Sequence, residues 1–125
     1  MINRESEEYI VNVSNLSYLI EITRGKKHLI REIIDAFLKQ VSEELVYIND
    51  AITKTDYGTI KRYAHSMKSS VSIMGISMLT PILQEMETLG ATADNIEKIK
   101  ELYQKLNLIC EQAIEEIERE KLNYF

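Results

Sequence analysis

Cysteine occurs once in this chain, proline once, glycine four times and tryptophan not at all. A lone Cys110 excludes an intramolecular disulfide and a cysteine-rich zinc site, and a reducing cytoplasmic setting is the simpler expectation. With only Pro81, Gly25, Gly58, Gly75 and Gly90 available, there are few places to break a helix or turn a hairpin. Long apolar runs are missing as well. The longest uncharged stretch, Ser69 to Gln84, contains Ser, Thr, Gly and Pro and falls short of the ~18 apolar residues that a membrane-spanning helix needs. Residues Met1 to Glu8 are too polar and acidic for a signal peptide. Positive charge is in deficit, 15 Lys and Arg against 20 Asp and Glu for a net charge of −5, which argues against nucleic acid or an anionic membrane as the partner.

What is present is helical periodicity. The chain of 125 residues with 45% hydrophobic content matches one domain over 1–125, with residues 1–13 loosely ordered. Apolar residues recur at three- and four-residue spacing, with no sustained alternation of period two. A short helix is predicted from about Ser14 to Thr23, capped by Ser14 and stopped at Gly25, with Leu16, Leu19 and Ile20 inward. A long helix over about Lys27–Thr53 carries Ile30, Ile34, Phe37, Val41, Leu45, Ile48 and Ile52 on one stripe. A third runs from an Asp56 cap to about Met74, with Gly75 as its stop. The fourth spans about Ser77–Leu89, with Pro81 tolerated in its first turn, Leu79, Ile82, Leu83 and Met86 inward and Gly90 ending it. The last opens on Asp94 with Glu97 three residues on; its stripe is Ile96, Ile99, Tyr103, Leu106, Cys110, Ala113 and Ile117. The acidic residues Glu111, Glu115, Glu116, Glu118 and Glu120 read as a solvated helix end. Short connections make neighbours antiparallel, so the fold class is all-α: an up-down four-helix bundle with a small N-terminal helix across it.

The third helix holds the chemistry. Ile60, Ala64, Met67, Val71 and Met74 mark its buried side, and His65 points about 140° away from that stripe at roughly 100° per residue. Lys61, Arg62, Lys68, Ser69 and Ser72 share the outward face. Residues 51–80 carry Lys54, Lys61, Arg62 and Lys68 against Asp56 alone, a basic region on an acidic protein that favours an acidic partner surface. An exposed imidazole ringed by cations and small side chains suits a group that receives a phosphoryl group from another protein. Its neutral nitrogen is a competent nucleophile near pH 7, and phosphoryl transfer needs mainly alignment and charge neutralisation. Lys68, one turn on, can neutralise phosphoryl oxygens. His28, among Lys26 and Lys27 with no motif around it, reads as surface.

Ala64-His65-x-Met67-Lys68-Ser69-Ser70, Gly75 ten residues after the histidine, and Leu83 and Glu87 beyond resemble the histidine phosphotransfer (HPt) domain of bacterial multistep phosphorelays. Asn15-Leu16-Ser17-Tyr18-Leu19 with Gly25, Phe37 and Asp56 are similar to the family framework, so the resemblance extends from about residue 14. It implies a four-helix bundle that accepts a phosphoryl group on His65 from a receiver-domain aspartate and passes it to another response regulator. The implied partners are receiver domains and a hybrid sensor histidine kinase, and the implied state is a monomer. Glu87 resembles the family residue that hydrogen-bonds the ring's other nitrogen, leaving Nε2 free to attack. Lys61, Arg62, Ser69, Ser72 and Gln84 are expected to bind the partner. No cofactor or metal of its own is expected, because magnesium would come with the receiver. Ser69 departs from the family, which usually has glycine there; a serine hydroxyl can bond back to the carbonyl of His65 and stay clear of the partner.

Two other classes compete with a phosphocarrier. A docking module that binds a receiver without transfer would not need His65 and Lys68 together. A hydrolase with His65 as general base lacks a partner nucleophile placed by motif, and no nucleotide loop or kinase motif occurs. A stand-alone protein, rather than a piece of a hybrid kinase, is the expectation from the starting Met1.

Overall fold

The computed structural model describes residues 12–125, five α-helices and no strand among them. They are α1 (Ser17–Ile22), α2 (Lys27–Thr53), α3 (Tyr57–Ile73), α4 (Leu79–Thr92) and α5 (Ile96–Lys121), followed by a 3₁₀ turn over Leu122–Tyr124. The long helices form a closed ring, α3 packing on α2 and α4, and α5 on α4 and α2. Cross-helix pairs give the direction. Tyr47 stacks on Tyr63 and Glu44 meets Ser66 between α2 and α3, while His65 meets Glu87 and Lys68 meets Gln84 between α3 and α4. Numbers that rise on one helix as they fall on the next mean antiparallel neighbours, so this is the up-down bundle expected.

The core follows the predicted stripes. Ile30, Ile34, Ile48, Ile60, Ala64, Met67, Val71, Leu79, Leu83, Met86, Ile99, Leu106 and Ile117 have no or almost no exposed surface. Cys110 is buried among them, and burial pushes its thiol up to about 12. Ile76 and Leu102 are also in the core, though neither lies on the stripes read from the sequence. Ile20, expected inward, is exposed, and Ile82, Ile96 and Tyr103 are only partly covered.

Helix ends differ from expectation in several places. Helix α1 begins at Ser17 rather than Ser14. Asn15 Oδ1 accepts from the Ser17 amide at 2.9 Å, and the Ser14 hydroxyl instead donates to Glu116 at 2.6 Å. Gly90 does not end α4; it is buried inside the helix, which continues to Thr92 and stops at Ala93 in the left-handed conformation. The cap of α5 is Asn95 rather than Asp94, its side chain accepting from the Lys98 amide at 3.2 Å. Asn95 has φ +58°, a region that asparagine tolerates better than most residues. The Asp56 cap and the Gly25 and Gly75 stops are where the sequence put them.

Glu116 corrects the reading of a wholly solvated acidic end. It is 4% exposed and accepts bonds from the Val13 and Ser14 amides, the Ser14 hydroxyl and the Gln112 amide. Val13 and Ser14 are therefore tied to α5; residues 1–11 of the segment expected to be loosely ordered lie outside the described residues. Burial by itself pushes the Glu116 carboxyl up, but these four donors outweigh it and hold the group below its usual range. A depressed folded value adds stability that is complete above the unfolded value and is lost as pH falls through the folded one. The stability gap between parent and Glu116→Gln is expected to be full at neutral pH and to close below about pH 4, as measured by urea unfolding at each pH.

At the end of α3, Gly75 has φ +64°, and a Cβ there would stand 2.1 Å from the Asn15 carbonyl oxygen. The Asn15 amide donates to the Met74 carbonyl at 3.1 Å, so the segment leading into α1 is fastened on this turn. Gly75→Ala is expected to cost at least about 2 kcal/mol through left-handed strain plus displacement of that segment. A melting temperature within a degree of the parent would contradict this.

Candidate phosphotransfer site

Helix α3 presents His65 outward because Ala64 and Met67 face the core on either side of it. Its side chain is 69% exposed, and its Nδ1 lies 2.9 Å from Glu87 Oε2 on α4. A carboxylate at that distance accepts a hydrogen bond from Nδ1–H, which fixes the tautomer and leaves the Nε2 lone pair unprotonated. Glu87 is 18% exposed and is held from a second side: Lys68 Nζ sits 2.6 Å from its Oε1. The Lys68 bond is the main cause that pulls the Glu87 carboxyl below its usual range; burial opposes it, and the His65 bond adds to it. Glu87 therefore stays ionised, and able to accept from the ring, into more acid solution than an ordinary glutamate.

Lys68 leans off the outward face toward α4. Its side chain is 24% exposed, and its ammonium also donates to Gln84 Oε1 at 2.8 Å. Gln84 Nε2 donates in turn to Thr88 Oγ1 at 3.3 Å. His65, Lys68, Glu87 and Gln84 thus form one connected group across α3 and α4. Glu87 reaches His65 as the resemblance implied. Gln84, expected as a partner contact, is engaged within the molecule. Thr88 went unnoticed in the sequence, although it lies four residues after Gln84, the spacing that stacks side chains on a helix.

The remaining predicted residues surround this group in two sets. Lys61 and Arg62 border an open depression with Gly58, His65 and Glu87, so the histidine does not stand on a plain convex surface. The Arg62 guanidinium lies 5.3 Å from the Tyr63 ring centre, and Tyr63 stacks on Tyr47 at 5.5 Å; no sequence signal pointed to this support. Ser69 and Ser72 line a separate depression with Tyr18, Lys68 and Ile73. Ser69 makes no back-bond to the His65 carbonyl. It remains exposed. His28 is exposed in the first turn of α2 with no comparable partners.

On the far side of α3, Ser66 donates to Glu44 at 3.4 Å. Glu44 is 5% exposed, and burial pushes its carboxyl up while the Ser66 and Gln40 bonds oppose the rise. Among the described residues no helix is long and apolar enough to cross a membrane.

The family model described as Hpt domain matches residues 32–120, a span that contains every member of the group around His65. In structure the chain is similar to histidine-containing phosphotransfer protein B (HptB) from Pseudomonas aeruginosa PAO1, with TM-score 0.83 and 17% identity over 93% of this chain and 100% of that one. At that identity the likeness speaks for the fold. No curated protein sequence matches the chain. A helical bundle of the HPt type and a family match across most of its length lead to one conclusion: the chain belongs to the Hpt domain family, whose role is histidine phosphotransfer in phosphorelays.

Proposed function

We propose that the protein is a phosphorelay intermediate that takes a phosphoryl group onto His65 Nε2 from a receiver-domain aspartate and passes it to another response regulator. The observation that carries this reading is the 2.9 Å contact between His65 Nδ1 and Glu87 Oε2 on an otherwise exposed ring. In the forward step the Nε2 lone pair attacks phosphorus, the acyl-phosphate P–O bond breaks, and its electron pair returns to the receiver carboxylate. The ring is then bonded to phosphorus at Nε2 and still protonated at Nδ1, so it carries positive charge, which the Glu87 carboxylate faces. Lys68 is the cation within reach of the incoming phosphoryl oxygens. The return step runs the same bonds backward onto a second receiver.

In this reading a hybrid sensor histidine kinase feeds the relay, and the protein works in the cytoplasm as a monomer. It is a carrier without turnover of its own. Magnesium sits with the receiver domain and is no cofactor of this chain. Lys61 and Arg62 meet acidic residues at the receiver's phosphorylation pocket, and Arg62 is pre-oriented by the Tyr63 ring under it. Ser69 and Ser72 give the receiver a low surface on which to approach.

Incubation with phosphorylated receiver domains is expected to place acid-labile, alkali-stable phosphate on the parent and on His28→Gln, and none on folded His65→Gln. Label retained in His65→Gln would overturn the assignment. A second outcome tests the direction of approach. Ser69→Gly is expected to change the transfer rate by less than about tenfold, or ~1.4 kcal/mol in the barrier. Ser69→Tyr is expected to block transfer with the melting temperature nearly unchanged, because its ring would project from an exposed position into the receiver. Parent-like transfer by Ser69→Tyr would mean that the receiver docks over another face.

A further inference from the structure

The Lys68 ammonium is already bonded in the unphosphorylated protein, and its second partner has no role in the reading above. Gln84 Oε1 accepts from Lys68 Nζ at 2.8 Å. The ammonium can only donate, so the amide oxygen must face it, and the other end of the amide agrees. The Thr88 hydroxyl donates its one proton to the Gln84 backbone carbonyl at 3.0 Å, so at Oγ1 it can only accept, and Gln84 Nε2 donates to it at 3.3 Å. A flipped amide would set NH₂ against an ammonium that has no acceptor, and would make the Thr88 hydroxyl give up its bond to the Gln84 carbonyl. The carbonyl oxygen therefore faces Lys68, braced from behind.

We infer that Gln84, held by Thr88, is a positioning residue that keeps the Lys68 ammonium beside His65, ready for the phosphoryl group. This rests on the proposed phosphotransfer at His65 and adds what fixes its cation. A lysine side chain is long and has many rotamers, and Glu87 alone could draw it into a tight pair or lose it to solvent. Gln84 supplies a second anchor that is neutral. Of the ammonium's three N–H donors one goes to Gln84, and the Glu87 carboxylate is an ion-pair partner beside it, so donor capacity remains for a phosphoryl oxygen. A carboxylate in place of Gln84 would put a second negative charge in competition with the phosphoryl group.

The test needs no receiver domain. The full chain carrying His28→Gln, so that a single phosphohistidine is present, is treated with potassium phosphoramidate; the reagent's P–N bond breaks, ammonia leaves, and the phosphoryl group bonds to the imidazole. The ³¹P resonance is then titrated with pH. A nearby cation favours the phosphoryl dianion, so Lys68→Ala is expected to raise the midpoint by about half a unit. Gln84→Ala and Thr88→Val are expected to raise it by at least half as much as Lys68→Ala does, and Thr88→Ser to restore the parent value, since only the hydroxyl matters. A displaced Lys68→Ala with parent-like Gln84→Ala and Thr88→Val would overturn the inference alone, as would Thr88→Ser displaced as far as Thr88→Val. An unmoved Lys68→Ala would overturn the role of Lys68 itself, and the inference with it.

Discussion

Gly90 rests directly on the backbone of Lys61, where a Cβ would stand 3.0 Å from the Lys61 amide nitrogen and 3.1 Å from its Cα. This close helix contact next to the site lies in nearly the same antiparallel register as the His65–Glu87 and Lys68–Gln84 pairs. Short side chains and lysine stems meet across that line only because the two helix backbones are close. A larger residue at position 90 would wedge α4 away from α3 just where Glu87 must reach the imidazole. The glycine that reads in sequence as a helix stop thus sets the spacing on which the site depends, and its buried place inside α4 explains why the helix continues past it.

Electrostatics within that gap are balanced rather than uniformly positive. Glu87 sits between His65 and Lys68 and cancels the lysine's charge at rest. The basic character of the surface comes instead from Lys61 and Arg62 around the depression. In the proposed relay these have different uses. A paired ammonium is held in place and can exchange one oxygen partner for another at little cost in order, while unpaired surface cations act at longer range and orient an acidic partner.

The opposite end of the bundle bears on the same face through α1. Glu116 ties Val13 and Ser14 to α5, Asn15 is bonded to the end of α3, and Gly75 lets that strand of backbone lie against the turn. Leu16 and Leu19 then enter the core, and Tyr18 is left beside Ser69 and Ser72 on the outward side of α3. Anchoring of the N-terminal segment and the shape of the surface next to His65 are therefore linked through one short helix.

The sequence by itself determined the five helices of the described residues, most of their stripes, the outward direction of His65 and the cluster of Lys61, Arg62 and Lys68, because helical periodicity and local charge are properties of neighbours along the chain. The match of Ala64-His65 through Ser70, with Gly75 and Glu87, also marked the family from sequence alone. Only the tertiary structure decided where Gly90 and Glu116 belong, since a buried glycine and a buried, fully bonded glutamate look in sequence like a helix stop and a solvated acid. It alone engaged Gln84 with Lys68 and laid Tyr63 on Tyr47. The Lys68–Gln84 and Tyr63–Tyr47 contacts depend on which residues two antiparallel helices bring level with each other, and a shift of one residue in that register would replace both.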